Sequence, residues 1–121
     1  MTQDVKEEEL IEGLTDVGIP KKQALTLAMI ADNDEAKRED IQGSTNMNQP
    51  DVSLATEELR NKDWLEKREI EKEGKGRPAH AYSLKKSMDE IAKDIEKEKQ
   101  EKIRGIEDNI ERIKELVDTL Y

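Results

Sequence analysis

From Lys86 to Thr119 the chain has no proline and is built almost wholly of helix formers. Its apolar residues form one stripe: Met88, Ile91 and Ile95, then Ile103, Ile106, Ile110, Ile113, Val117 and Leu120. From Ile103 onward the steps alternate between three and four, which is a heptad seam. Residues 96–102 hold no apolar side chain, and Ala92 to Ile103 and Ile95 to Ile106 are each 11 apart, so the register shifts there by a hendecad step. Such a helix is roughly 50 Å long at 1.5 Å per residue. The 85 residues before it cannot cover it, and an isolated stripe is marginal alone. Gly105 adds a local cost of about 1 kcal/mol. A second copy of the chain resolves this, making the tail a dimerisation helix. Parallel and antiparallel pairing both remain open.

Composition points the same way. Of 121 residues, 42% are charged and 33% hydrophobic, with no Phe, one Trp and two Tyr. That is too little apolar volume for one core spanning the chain. The net charge of −9 excludes a uniformly basic nucleic-acid coat. The charge is unevenly spread: residues 1–35 carry −6, residues 36–86 carry +1 and residues 87–121 carry −4. A polyanion would therefore meet residues 36–86. With no cysteine, disulfides, thiolate metal sites and a cysteine nucleophile are excluded, which fits a reducing compartment. No run approaches 18 apolar residues, and Met-Thr-Gln-Asp-Val-Lys lacks an apolar signal core. The expectation is a soluble cytoplasmic protein without a membrane partner.

Residues 4–14 read as a short amphipathic helix with Val5, Leu10, Ile11 and Leu14 on one stripe. Gly18-Ile19-Pro20 breaks it, and Pro20 suits the first position of the next helix, residues 20–31. That helix is the most apolar stretch and should be central, with Leu25, Leu27, Met29 and Ile30 in the core. Residues 36–43 read as a short helix anchored by Ile41 and closed by Gly43, followed by a turn over 44–47. A further helix runs from near Asn48-Gln49-Pro50 to about Arg60. Val52, Ala55, Thr56 and Leu59 face inward; Gln49, Ser53, Glu57 and Arg60 lie on the other side. After a turn at 61–63, Trp64–Lys72 reads as a strand. Leu65 and Ile70 have opposite parity there, which suggests a bulge. Residues 73–78 form a basic hairpin tip, and Ala79–Leu84 alternates as a second strand. The expected fold is mainly α with a small β-hairpin (α+β): a winged helix-turn-helix domain over 1–85, then a long coiled-coil helix over 86–121.

In a helix-turn-helix the second helix enters the major groove and its first residues reach base edges. Here those are Asn48, Gln49, Asp51, Ser53 and Leu54. Asn and Gln can pair bidentately with adenine. Lys72, Lys75 and Arg77 belong to the wing, where an Arg beside Gly and Pro can enter a narrow minor groove. Arg38, Arg60 and His80 complete the candidate DNA contacts.

The run from Asn48-Gln49-Pro50-Asp51-Val52-Ser53 to Leu59-Arg60-Asn61-Lys62-Asp63-Trp64-Leu65 resembles the recognition segment of arsenic-repressor-like winged-helix regulators. Gly76-Arg77-Pro78-Ala79-His80-Ala81-Tyr82-Ser83-Leu84 is similar to the wing of archaeal predicted transcriptional regulators in that superfamily. The resemblance covers about residues 20–84. It implies base-reading positions for Gln49 and Ser53 and a wing position for Arg77. It departs at Asp51, Glu57 and Glu58, which put acids on a helix meant for DNA. The namesake family's metal ligands are absent, so metal-responsive release is not implied.

Trp64 reads as a core or interface residue, since single-strand binding needs several exposed aromatics. Asp32-Asn33-Asp34 starts like a calcium loop, but Lys37 stands where Gly is required and Gly43 where Glu is. One His and no Cys leave no usual nucleophile–base or zinc arrangement, so neither an enzyme nor a cofactor is expected. The reading is a homodimeric regulator of double-stranded DNA. The alternatives are an architectural chromatin protein of low sequence specificity and a winged-helix protein-interaction module.

Overall fold

The computed structural model describes residues 3–70 and 79–121. The chain divides into two compact units, Met1–Ser87 and Met88–Tyr121.

The first unit runs α1 (Gln3–Asp16), α2 (Lys21–Ala31), β1 (Ala36–Lys37), α3 (Arg38–Thr45), α4 (Gln49–Asn61), β2 (Leu65–Ile70) and β3 (Ala79–Leu84). Gly18 makes the turn between α1 and α2 at φ 99°, a backbone that L side chains rarely adopt. There the Gly18 N–H donates to Thr15 O and the Ile19 N–H to Leu14 O, both at 3.0 Å. Pro20 stands outside α2 as its N-cap rather than as its first residue: its ψ is extended at 142°, while its carbonyl accepts the first helical bond from Ala24.

α2 is the central helix. Leu27 and Ile30 are fully buried, whereas Leu25 and Met29 are half-buried. Around them close Ile41 of α3, Val52 and Leu59 of α4 and Leu65 of β2, all fully buried. Two buried hydroxyls are satisfied within their own helices: Thr26 donates to Lys22 O and Thr56 to Val52 O, both at 2.8 Å.

Further sequence expectations are corrected here. First, residues 36–43 are not one helix. Ala36 and Lys37 form a strand antiparallel to β3, pairing with Tyr82 and Ala81, and α3 starts only at Arg38. Second, Gly43 does not close α3, which runs on through Ser44 and Thr45. The helix ends instead at Asn46, left-handed at φ 60°, whose N–H donates to Gln42 O at 2.9 Å. Third, β2 has no bulge. Its register against β3 is continuous from Leu65↔Leu84 to Ile70↔Ala79. The opposite parity of Leu65 and Ile70 means that they lie on opposite faces, Leu65 buried and Ile70 half-buried. The expected strand began at Trp64, but β2 starts one residue later; Glu71, Lys72 and the tip lie outside the described residues.

The sheet order is β1-β3-β2. Asp63, at φ 65°, turns the chain from α4 into β2, and Trp64 behind it is buried.

The second unit is α5 (Met88–Leu120), a helix of 33 residues, roughly 50 Å long. Ile91 and Ile95 are buried. Ile103, Ile106, Ile110, Ile113, Val117 and Leu120 are 46–69% exposed, and Leu116 beside them broadens the stripe. No helix among the described residues is long and apolar enough to cross a membrane.

Candidate nucleic-acid interface

α4 follows α3 after Asn46, Met47 and Asn48. Asn48 is its N-cap: the side-chain Oδ1 accepts the Asp51 N–H at 2.9 Å. Pro50 fits the first turn, where its missing N–H has no helical partner to lose. Val52, Ala55, Thr56 and Leu59 hold the helix on the core.

The acids of α4 are distributed so that two of the three face α2. Asp51 pairs with Lys22 Nζ at 3.0 Å. Glu58 accepts a hydrogen bond from the side-chain Nε2 of Gln23. The Oε1 of the same amide accepts from Lys62 Nζ at 3.3 Å, and that ammonium lies 4.9 Å from the Trp64 ring centroid. Gln23 is therefore buried with both ends of its amide engaged. Only Glu57 of the three acids stays on the exposed face.

That face brings together Gln49, Ser53 and Leu54, all exposed. Asn48 sits at its tip, with its amide oxygen held by the cap. Arg60, in the last turn, is half-buried, and its Nε has no hydrogen-bond partner among the described residues. Arg38 is the exposed first residue of α3. His80 is half-exposed on β3 opposite Glu69, with its Nε2 3.9 Å from the carboxylate. Lys72, Lys75 and Arg77 lie outside the described residues.

A helix resting on a helix, with a three-stranded sheet beside it and an exposed outer helix face, has a known counterpart among solved structures. The fold is a winged helix. The archaeal chromatin protein TrmBL2, whose structure is described as showing a novel mode of DNA binding, superposes with a TM-score of 0.69 at 12% identity. The match covers 93% of this chain but only 40% of that one, so the chain spans well under half of TrmBL2. A possible transcriptional regulator from Methanosarcina mazei Go1 gives 0.67 at 15% identity, over 87% of this chain and 86% of its own. NadR, solved in complex with 4-hydroxyphenylacetate, gives 0.53 at 16%, over 93% and 82%. No family model and no curated protein sequence matches the chain.

Within the winged helix, α3 and α4 are the helix-turn-helix and β2–β3 the wing hairpin. The residues missed by sequence reasoning are Lys22 and Gln23 of α2, which draw Asp51 and Glu58 off the outer face. Their one sequence signal is a glutamine within the most apolar helix.

Proposed function

We propose that the chain is a dimeric transcriptional regulator that reads duplex DNA. α4 lies in the major groove, and the 72–80 wing lies on the backbone or in the minor groove. One observation carries this reading. The outer face of α4 is polar, exposed and cleared of two of its three acids, which are held by Lys22 and Gln23. An acidic recognition helix would repel phosphate; this one leaves Gln49 and Ser53 exposed with Glu57, among the described residues, as its one unpaired acid on that face. The likeness in fold to TrmBL2 and to the Methanosarcina mazei regulator supports the same reading.

Dimerisation through α5 rests on the exposed stripe from Ile103 to Leu120. Two copies related by a two-fold axis would offer α4 to two half-sites.

The test is selection from a random duplex pool at low and moderate salt. A recurring, roughly palindromic site that persists at the higher salt is the expected result. Binding without enrichment would favour an architectural role. No retained DNA would turn the reading toward a protein-interaction module.

A further inference from the structure

The outer face of α4 carries one large apolar side chain. Leu54 is 55% exposed, with Asp51, Glu57 and Glu58 three or four residues from it on the helix. It rims a recess of about 150 Å³ walled by Pro20 and Ala55 and by the Lys22–Asp51 and Gln23–Glu58 pairs. An isolated exposed leucine needs no explanation. The chemistry of its neighbours gives this one a meaning.

Guanine is read chiefly by Arg or Lys on its O6 and N7. Arg60 is the only cation in α4, and it sits half-buried in the last turn. The first two turns have no cation, and the nearby Lys22 is paired with Asp51. What they present is an amide at Gln49, a hydroxyl at Ser53 and a branched hydrocarbon at Leu54. An A·T pair offers the complementary set in the major groove: adenine N7 and N6 for an amide, and the thymine methyl for an apolar contact. Gln49 and Leu54 are five residues apart, about 7.5 Å along the helix axis and about 140° around it, so they would reach bases from the two sides of the outer face, close to two base steps of about 3.4 Å apart. A G·C pair is matched by the Glu57 carboxylate, which can accept from cytosine N4, while the Ser53 hydroxyl suits either pair.

We infer that α4 is directed to A·T pairs, with Leu54 on a thymine methyl group and Gln49 on adenine. This rests on the proposed DNA reading and deepens it by naming the sequence class and a specificity-determining residue.

The test uses the full chain. Duplexes are selected from a random pool, and the enriched duplex is remade with uracil in place of thymine, which removes only the methyl groups. The expected core is A·T-rich. Uracil should weaken wild-type binding about four-fold for each methyl buried. Leu54→Ala should bind the thymine duplex more weakly by a similar factor and bind both duplexes equally. Its thermal melt should match the wild type, since Leu54 is largely in solvent. A G·C-rich core, a wild-type chain indifferent to uracil, or an unchanged uracil penalty in Leu54→Ala overturns the inference and leaves DNA binding intact. A pool from which nothing is retained overturns both.

Discussion

Glu35 and Arg68 form a two-pronged ion pair across β3, joining two strands that are not neighbours. Arg68 lies on β2 and donates from Nε and Nη2 to the two carboxylate oxygens of Glu35, which immediately precedes β1. Both strands pair with β3 and not with each other. Ala81 of β3, opposite both Lys37 and Arg68, is 1% exposed despite its small size. The pair thus ties the two-residue strand β1 to the hairpin.

That pair has a pH signature. The hydrogen bond from Arg68 holds the Glu35 carboxyl below its usual value of 4.5. A carboxyl lowered by folding stabilises the fold above its unfolded value, and the contribution fades as pH falls through the folded value. Glu35→Gln should therefore melt slightly below the wild type at neutral pH. The gap should begin to narrow below about pH 4.5 and close once the carboxyl is protonated. Thermal melts across pH check this, and a gap that widens toward acid would refute it.

Asn48 is at the tip of α4, yet its amide oxygen holds the cap. Bidentate pairing with adenine would need that oxygen. Asn48→Ala should cost about 1 kcal/mol of stability in urea unfolding. Asn48→Ser should restore most of that loss and leave the preferred DNA sequence unchanged. A changed preference in the serine variant would make Asn48 a base reader.

Gln49 and Arg77 should fail differently. Gln49→Ala should lower discrimination between the selected site and its single-base variants, by about 1–3 kcal/mol at the base it pairs. Arg77→Ala should weaken every duplex alike and flatten the salt dependence by about one phosphate contact. Titrations on matched and mismatched duplexes at two salt concentrations separate the two. Unchanged binding in both variants would void the assignment.

The exposed stripe of α5 predicts an oligomer. Charged substitutions at Ile110 and Ile113, both about half-exposed, should leave the chain folded and halve the mass seen by light scattering. A double Ile110→Asp, Ile113→Asp variant that stays dimeric would move the interface elsewhere.

Much of this architecture was legible because it is local. The stripe of α5, the start of α4 near Asn48-Gln49-Pro50 and the inward set Val52, Ala55, Thr56 and Leu59 all follow from spacing within one segment, whereas the choice of Asn48 over Gln49 as the cap is read from the structure. What escaped was long-range. β1 has two residues and exists only because β3, more than forty residues later, pairs with it. Gly43 looked like a stop, yet a Cβ there would meet nothing within 4 Å, and Asn46 supplies the left-handed turn instead. Parity alone suggests a bulge in β2, because it cannot separate a slipped register from a strand with apolar residues on both faces. At the interface, Gln49 and Ser53 were visible as outward residues, whereas the paths of Asp51 and Glu58 depended on partners some thirty residues away.

Those inward-turned acids have a kinetic consequence. On the proposed reading, a helix face carrying little charge of either sign meets DNA without strong attraction, and the net charge of −9 opposes approach once the surfaces come within a Debye length, about 10 Å at 0.1 M salt. Arrival is then unsteered, with association rates nearer 10⁵–10⁶ M⁻¹ s⁻¹ than the diffusion limit, by order of magnitude. Selectivity among sequences would reside in how long each complex lasts.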